Sequence, residues 1–397
     1  MSLLPVPDAL AIILNSVKTL PAEKISLHEA LGRVVAEDIR SNLTQPPFAA
    51  SAMDGYAIRF ADCADPINVI GESKAGERFV GRIGPGEAVR IFTGAPMVDG
   101  ADTVVIQENV RRHGDRITVN ECKAPGANIR AAGGDFKTGD CLIKANTIIG
   151  ARQIALLAAG NVAELMVYKK PKVAILSTGD ELMEVGSEIS PDKIVNSNVP
   201  MLMALVAENG GEPVNLGTAK DTIEDVRAKI AQVKDVDMFV SIGGVSVGDY
   251  DLIQTVLKDA GLKVAFWKVA MQPGKPLVYG DFNSIPYFGM PGNPASAFVC
   301  FVNFMLPALQ KMQGKRSDGH QFSHARIEHE LDAGGSRQNY MRANYHENER
   351  GEKWVSVQKS QGSANLYPLA HSNCLLVREI DAPAAEIGDL VRILLLE

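Results

Sequence analysis

Between Pro171 and about Gly314 the sequence alternates short β-type apolar runs with segments of helical period, and few folds accept that alternation. Strand-like 173–176 precedes a helical 200–208. Strand 213–216, helix 223–233, strand 238–242, helix 252–259, strand 264–268 and a last helix from Pro294 follow. Repeated strand–helix–strand steps predict a parallel sheet with crossover helices, an α/β fold whose ligands gather at the carboxyl ends of the strands. Four loops are expected there: Ser177-Thr178-Gly179-Asp180-Glu181, Gly243-Gly244-Val245-Ser246-Val247-Gly248-Asp249-Tyr250-Asp251, Gln272-Pro273-Gly274-Lys275-Pro276 and Met290-Pro291-Gly292-Asn293-Pro294.

The rest of the 397 residues has other textures, as expected of a multidomain chain. Leu10, Ile13, Leu14 and Val17 share one helical face, and Leu27, Ala30, Leu31, Val34 and Val35 another, predicting two amphipathic helices within 8–38. From Thr44 short runs broken by Gly and Pro predict a small β-rich module. Helical texture returns within 140–168, mainly over 151–159, and is expected to pack on the first helices, making the β module an insertion. Beyond residue 320, alternating runs at 325–330, 354–358, 375–378 and 390–395 read as a small β barrel without a helix. The expected division is a discontinuous helical domain (1–43 plus 140–170), a β-rich lid (44–139), a central α/β domain (171–316) and a C-terminal barrel (320–397).

Forty basic against 47 acidic residues give a net charge of −7, which disfavours nucleic acid as the main partner. The first residues lack a basic, apolar signal-peptide pattern. The longest apolar run, 295–309, is interrupted by Asn303 and Pro307 and falls short of the roughly 20 residues of a spanning helix. It reads as a buried core helix, and the chain as cytoplasmic. Five scattered cysteines without a CxxC pair argue against a disulfide framework and a thiolate zinc site. His320, His324 and His329 cluster without companion ligands and read as linker.

The loops carry the chemistry. Glycines let backbone amides approach an anion, and a following helix N-terminus adds partial positive charge, so an oxyanion or phosphate ligand is expected. Pro294 fits the first turn of its helix and would leave the next amides facing that ligand. Lys268 and Lys275 flank the third loop as candidate countercharges. Asp180, Glu181, Asp221, Asp249 and Asp251 would repel a phosphate unless a divalent cation stood between them, and magnesium takes oxygen ligands of this kind. Competing readings stand beside these: helix or turn capping for Asp180, and N-capping by Asp221 or Thr222. Neither a nucleophilic triad nor a P-loop or dinucleotide fingerprint is present.

With these loops read in order, the sequence resembles the MoeA family of molybdopterin molybdenumtransferases, also seen in the E domain of gephyrin. Pro46-Pro47-Phe48, Ser51-Ala52-Met53-Asp54-Gly55-Tyr56-Ala57, Thr93-Gly94-Ala95-Pro96, Gly100-Ala101-Asp102, Asn128-Ile129-Arg130 and Gly133-Gly134-Asp135 precede the four strand-end loops. The resemblance implies insertion of molybdenum from molybdate into adenylylated molybdopterin with release of AMP, assisted by Mg2+. It implies a homodimer with a shared active site, a pterin nucleotide and an oxyanion as ligands, and no membrane partner, and leaves open other molybdenum cofactor biosynthesis proteins as partners. By resemblance, Asp54, Glu181, Asp221 and Asp251 would be catalytic, with Glu181, Asp221 and Asp251 on the metal. Substrate contacts would fall to Thr93, Arg130, Asp135, Ser177, Gly179, Gly243, Gly244, Ser246, Lys268, Lys275, Pro291, Gly292, Asn293 and Pro294. Many members have a basic residue where this chain has Gln272, and Asp where it has Ala49, so oxyanion preference, molybdate or tungstate, stays open. A gephyrin-type scaffold and a molybdopterin adenylyltransferase are the alternative functions.

Overall fold

Six strands form the central sheet, in the order Glu212–Ala219, Lys172–Thr178, Met238–Ile242, Ile285–Met290, Val278–Phe282, Leu262–Trp267. The computed structural model describes residues 3–244, 252–315 and 322–396. The first four strands are parallel, and Val278–Phe282 runs against both neighbours, so Leu262–Trp267 again points the way of the parallel set. Strand alternation separates two cores. Val173 and Ile175 face Leu202, Val206 and the apolar helix after Pro294, while Ala174 and Leu176 face Val226, Ile230, Ile253 and Leu257.

The parallel set is as expected, and the reversed strand is an addition to it that the sequence reading lacks. Val278–Phe282 and Ile285–Met290 form a hairpin whose two turn residues, Asn283 and Ser284, have φ of 53° and 71°. Asn-Ser is a weaker hairpin signal than Asn-Gly, and Pro286 inside the second run argues against a strand. The apolar helix is continuous over Pro294–Met312 with a π-helical turn at Phe301–Met305. That turn precedes Pro307, whose ring crowds the carbonyl four residues back. By length and composition it is the one described helix able to cross a membrane, yet 78% of its apolar window is buried in the protein.

Contacts divide the chain differently from the four expected domains. One unit holds residues 1–23, 32–36 and 167–397, and the other 24–31 and 37–166. Helix Val6–Ser16 joins the first unit because Val6, Ala9 and Ile13 are buried with the central core. Helix Ala151–Ala159 falls in the second. Outside helix Val6–Ser16 the two expected stretches do meet: Ile39–Arg40 pairs with Cys141–Ile143, and the Leu27 N–H donates to Ala163 O at 2.9 Å. The segment 27–35 is not a helix: Leu27–Glu29 is a single tight turn, Gly32 takes φ of 75°, and Leu31 is 66% exposed. Left-handed backbone at Gly32 ends any helix that the apolar spacing suggests.

The second unit contains a six-stranded sheet ordered Thr103–Ile106, Gly55–Ile58, Glu87–Ile91, Ile67–Ser73, Arg116–Val119, Val110–His113, the expected β module. Against the reading of the cysteines, Cys63 and Cys122 are disulfide-bonded there. Cysteines 59 residues apart leave no local spacing signal of such a pair. Cys141, Cys300 and Cys374 are free, and burial pushes the Cys374 thiol up to about 12.

The C-terminal barrel closes through Gln338–Glu347, which pairs with both Lys353–Val357 and Cys374–Arg378. Phe322–Ile327 and Leu390–Leu395 complete the ring. Sequence reading misses Gln338–Glu347, where the buried Arg342 breaks the apolar alternation, and the short helix Leu366–Ala370. Met271–Gln272 pairs in parallel with Gln338 and Asn339, tying the third loop to the barrel. His320 lies outside the described residues; among them, no group of His, Cys, Asp and Glu side chains could hold a metal as a set of three or more.

Candidate active site at the strand ends

The loops after Lys172–Thr178, Met238–Ile242 and Ile285–Met290, with the turn at 272–276, wall a cavity of about 690 Å³. A second, of about 400 Å³, adjoins it and shares Thr178, Glu181, Gly243 and Gly244. Two buried polar atoms on the larger cavity have no hydrogen-bond partner among the described residues: Ser177 Oγ and Asn198 Oδ1. Asn198 is held by its other end, Nδ2 donating to Gly292 O at 2.7 Å. Buried polar atoms are almost always paired, so these two point to a ligand that completes them. Lys275 and Arg337 bring positive charge to the same walls.

Not every expected donor is free. The Gly243 N–H donates to Met290 O at 3.1 Å, fixing that loop to its neighbour. The amide after Pro294, expected to face a ligand, donates instead to Ser363 O at 3.0 Å, while Asn293 Nδ2 donates to Ser363 Oγ at 2.9 Å. The Pro291–Pro294 turn is thus tied to the barrel loop, and Pro291, Gly292 and Asn293 line the cavity. Lys268 and Pro294 are not among the residues that line it. Lys268 lies over the Trp267 ring at 4.4 Å. Ser246 and Asp251 lie outside the described residues.

The carboxylates sort by their bonds. Gly179 adopts φ of 144°, and a Cβ there would stand 2.5 Å from Glu181 Oε2. The Glu181 carboxylate folds over a position only glycine can occupy. Asp180 and Asp221 are reciprocal: the Asp180 N–H donates to Asp221 Oδ2 at 3.3 Å, and the Asp221 N–H to Asp180 Oδ1 at 3.2 Å. Thr222, not Asp221, caps helix Ile223–Ile230, accepting from the Asp225 N–H at 3.3 Å. Glu181 and Asp221 meet on the smaller cavity. Two carboxylates completed by phosphate oxygens form a donor set that suits magnesium, whereas the described residues offer no closed protein cage in either cavity.

Within the β module, Asp54 Oδ1 accepts from both the Thr93 N–H and Oγ, each at 2.7 Å. These bonds, the backbone one foremost, hold the Asp54 carboxyl below its ordinary range. Arg130 lies opposite Ala50, whose strand neighbour Ser51 accepts the Gly94 N–H at 2.8 Å, so Asp54, Thr93 and Arg130 belong to one hydrogen-bonded patch. Asp135 is anchored by its N–H to Gln45 O at 3.1 Å.

Family models match three stretches: MoeA N-terminal region (domain I and II) over residues 4–160, probable molybdopterin binding domain over 174–311, and MoeA C-terminal region (domain IV) over 324–396. The chain belongs to the MoeA family. Molybdopterin molybdenumtransferases of Nostoc sp. and Haemophilus influenzae are each 37% identical, over 94% of this chain and 89% and 93% of theirs. A molybdopterin biosynthesis MoeA protein of Pyrococcus horikoshii OT3 superposes with a TM-score of 0.82 at 32% identity, covering 99% of this chain and 100% of that one. The MoeA likeness thus spans central sheet, β module and barrel alike.

Sequence reasoning misses the contributors from outside the strand ends: Asn198, Arg337, Gln361 and Ser363. Arg337 follows Gly334-Gly335-Ser336, a glycine turn ahead of a strand, which is a signal of the kind used for the other loops. The cation absent at Gln272 has a neighbour in its place: Arg337 Nη2 donates to Gln272 Oε1 at 2.8 Å.

Proposed function

We propose that this chain transfers molybdenum from molybdate to adenylylated molybdopterin, releasing AMP, in molybdenum cofactor biosynthesis. The observation that carries the reading is the larger cavity, where two cations, an unpartnered hydroxyl and an unpartnered amide oxygen converge at the carboxyl ends of parallel strands. The names of the relatives support the same activity. Molybdate is a tetrahedral dianion, and Lys275, Arg337 and the Ser177 hydroxyl are donors suited to its oxygens. Asn198 Oδ1 is an acceptor for a ring N–H or amino group of the pterin. Glu181 and Asp221 would hold magnesium together with the substrate's phosphate oxygens; when bound, the ion offsets the charge gathering at the cleaved phosphoanhydride. The oxygen that attacks the phosphoanhydride would be a water's, and its proton would pass to a carboxylate, Glu181 or, by resemblance, Asp251, as AMP leaves.

We further propose a homodimer in which the Asp54 patch of one subunit serves the strand-end cavity of its partner, as the family resemblance implies. Purified protein incubated with adenylylated molybdopterin tests the activity. AMP should appear only with molybdate and magnesium present, together with a molybdenum-bearing pterin. Incorporation of AMP from ATP into molybdopterin would favour an adenylyltransferase, and binding without turnover a scaffold.

A further inference from the structure

The two cations of the larger cavity arrive by different routes. Lys275 comes from the turn that follows Met271–Gln272, and Arg337 from the barrel, just ahead of Gln338–Glu347. Backbone pairing fixes their relation. Met271 and Gln272 run parallel to Gln338 and Asn339, and the Gln338 N–H donates to Ala270 O at 2.9 Å. This register places the side chain at 272 beside that at 337, where Arg337 Nη2 donates to Gln272 Oε1 at 2.8 Å. Neither Arg337 nor Lys275 makes an ion pair among the described residues.

An amide oxygen does here what no charged group can. Glutamate would hold the guanidinium but neutralise it, and lysine would repel it at hydrogen-bonding distance. Glutamine fixes one of the five guanidinium N–H donors, leaves the charge intact and frees the rest for a ligand. We propose that Gln272 is the positioning residue for oxyanion binding, holding Arg337 at the cavity wall so that Arg337 and Lys275 together meet a dianion. The proposal rests on reading this cavity as the oxyanion site.

Titration calorimetry of the full chain with molybdate, and with tungstate as an isosteric probe, tests it. Gln272→Met, which keeps length and loses the oxygen, should weaken binding about threefold or more. Gln272→Glu should weaken it about tenfold. Gln272→Lys should also weaken binding, although it adds a positive charge. In an Arg337→Ala background the sign reverses, and Gln272→Lys should tighten binding, because the lysine then replaces a missing cation. A bond that merely staples strand to barrel would show no such reversal, so an effect of Gln272→Lys equal in both backgrounds overturns the proposal. So does tighter binding by Gln272→Lys alone. If the wild-type chain binds neither oxyanion, the reading of the cavity itself fails and takes this proposal with it. If it binds and Lys275→Ala weakens it, while the 272 and 337 variants act independently, only the positioning role is lost.

Discussion

Gly179 exists for Glu181. A methyl group at 179 would sit 2.5 Å from the Glu181 carboxylate on a backbone with φ of 144°, so Gly179→Ala displaces that carboxylate even if the sheet is undisturbed. AMP release by Gly179→Ala should therefore fall about 100-fold or more, as in Glu181→Gln, with an unchanged circular dichroism spectrum. Near-normal release would separate Glu181 from the chemistry. Asp54 offers a second test, by pH. Two bonds from Thr93 lower its folded pKa below the ordinary carboxylate value. Its ionised form thus contributes stability above the unfolded value and loses it as pH falls through the folded one. Thr93→Val removes the hydroxyl donor, so the Asp54 carboxyl carbon, followed by NMR, should titrate at higher pH than in the wild type. An unmoved midpoint would mean the backbone bond alone sets the ionisation.

At the scale of elements, the hairpin turn and the first helix carry the informative substitutions. Ser284 holds φ of 71°, a left-handed conformation costing an ordinary residue roughly 1–2 kcal/mol, of which an added glycine returns roughly 0.5–1 kcal/mol as chain entropy. Ser284→Gly should raise stability to urea by about 0.5 kcal/mol; a loss would show that the Ser284 side chain has a role of its own. Ile13 is fully buried in the central core, so Ile13→Ala should destabilise that unit by about 2–5 kcal/mol. Trp267 and Trp354 both lie in this unit, and their fluorescence reports its unfolding. An unshifted tryptophan transition would return the helix to a separate domain. These elements also mark how far sequence reading reaches. A continuous apolar run such as Val173–Leu176 is legible because burial on both faces writes it directly. The Val278–Phe282 hairpin is hidden by Asn283-Ser284 and Pro286, and 27–35 mimics a helix because its buried residues fall by chance at helical spacing. The site divides likewise. Loops with glycine and charge are visible locally, and the Gly334-Gly335-Ser336 turn before Arg337 is of that kind, while Asn198 and Ser363 reach the cavity through helix placement and barrel closure, which no local pattern encodes.

For the whole molecule, the shared-site dimer is tested by mixing inactive subunits. Asp54→Ala and Asp251→Ala homodimers should each be inactive. If sites form in trans, a hybrid gathers both lesions in one site and leaves the other intact, so reassociation restores AMP release. Hybrids verified by mass spectrometry that stay inactive would contradict that arrangement. Underlying all of this is the claim that the strand-end cavity holds the oxyanion. Crystals of the full chain soaked in tungstate locate it directly, because tungsten scatters anomalously. The account predicts an anomalous peak within hydrogen-bonding distance of Ser177 Oγ, Lys275 and Arg337 that is lost in Lys275→Ala; ordered tungstate only elsewhere on the protein, with this cavity empty, would contradict it.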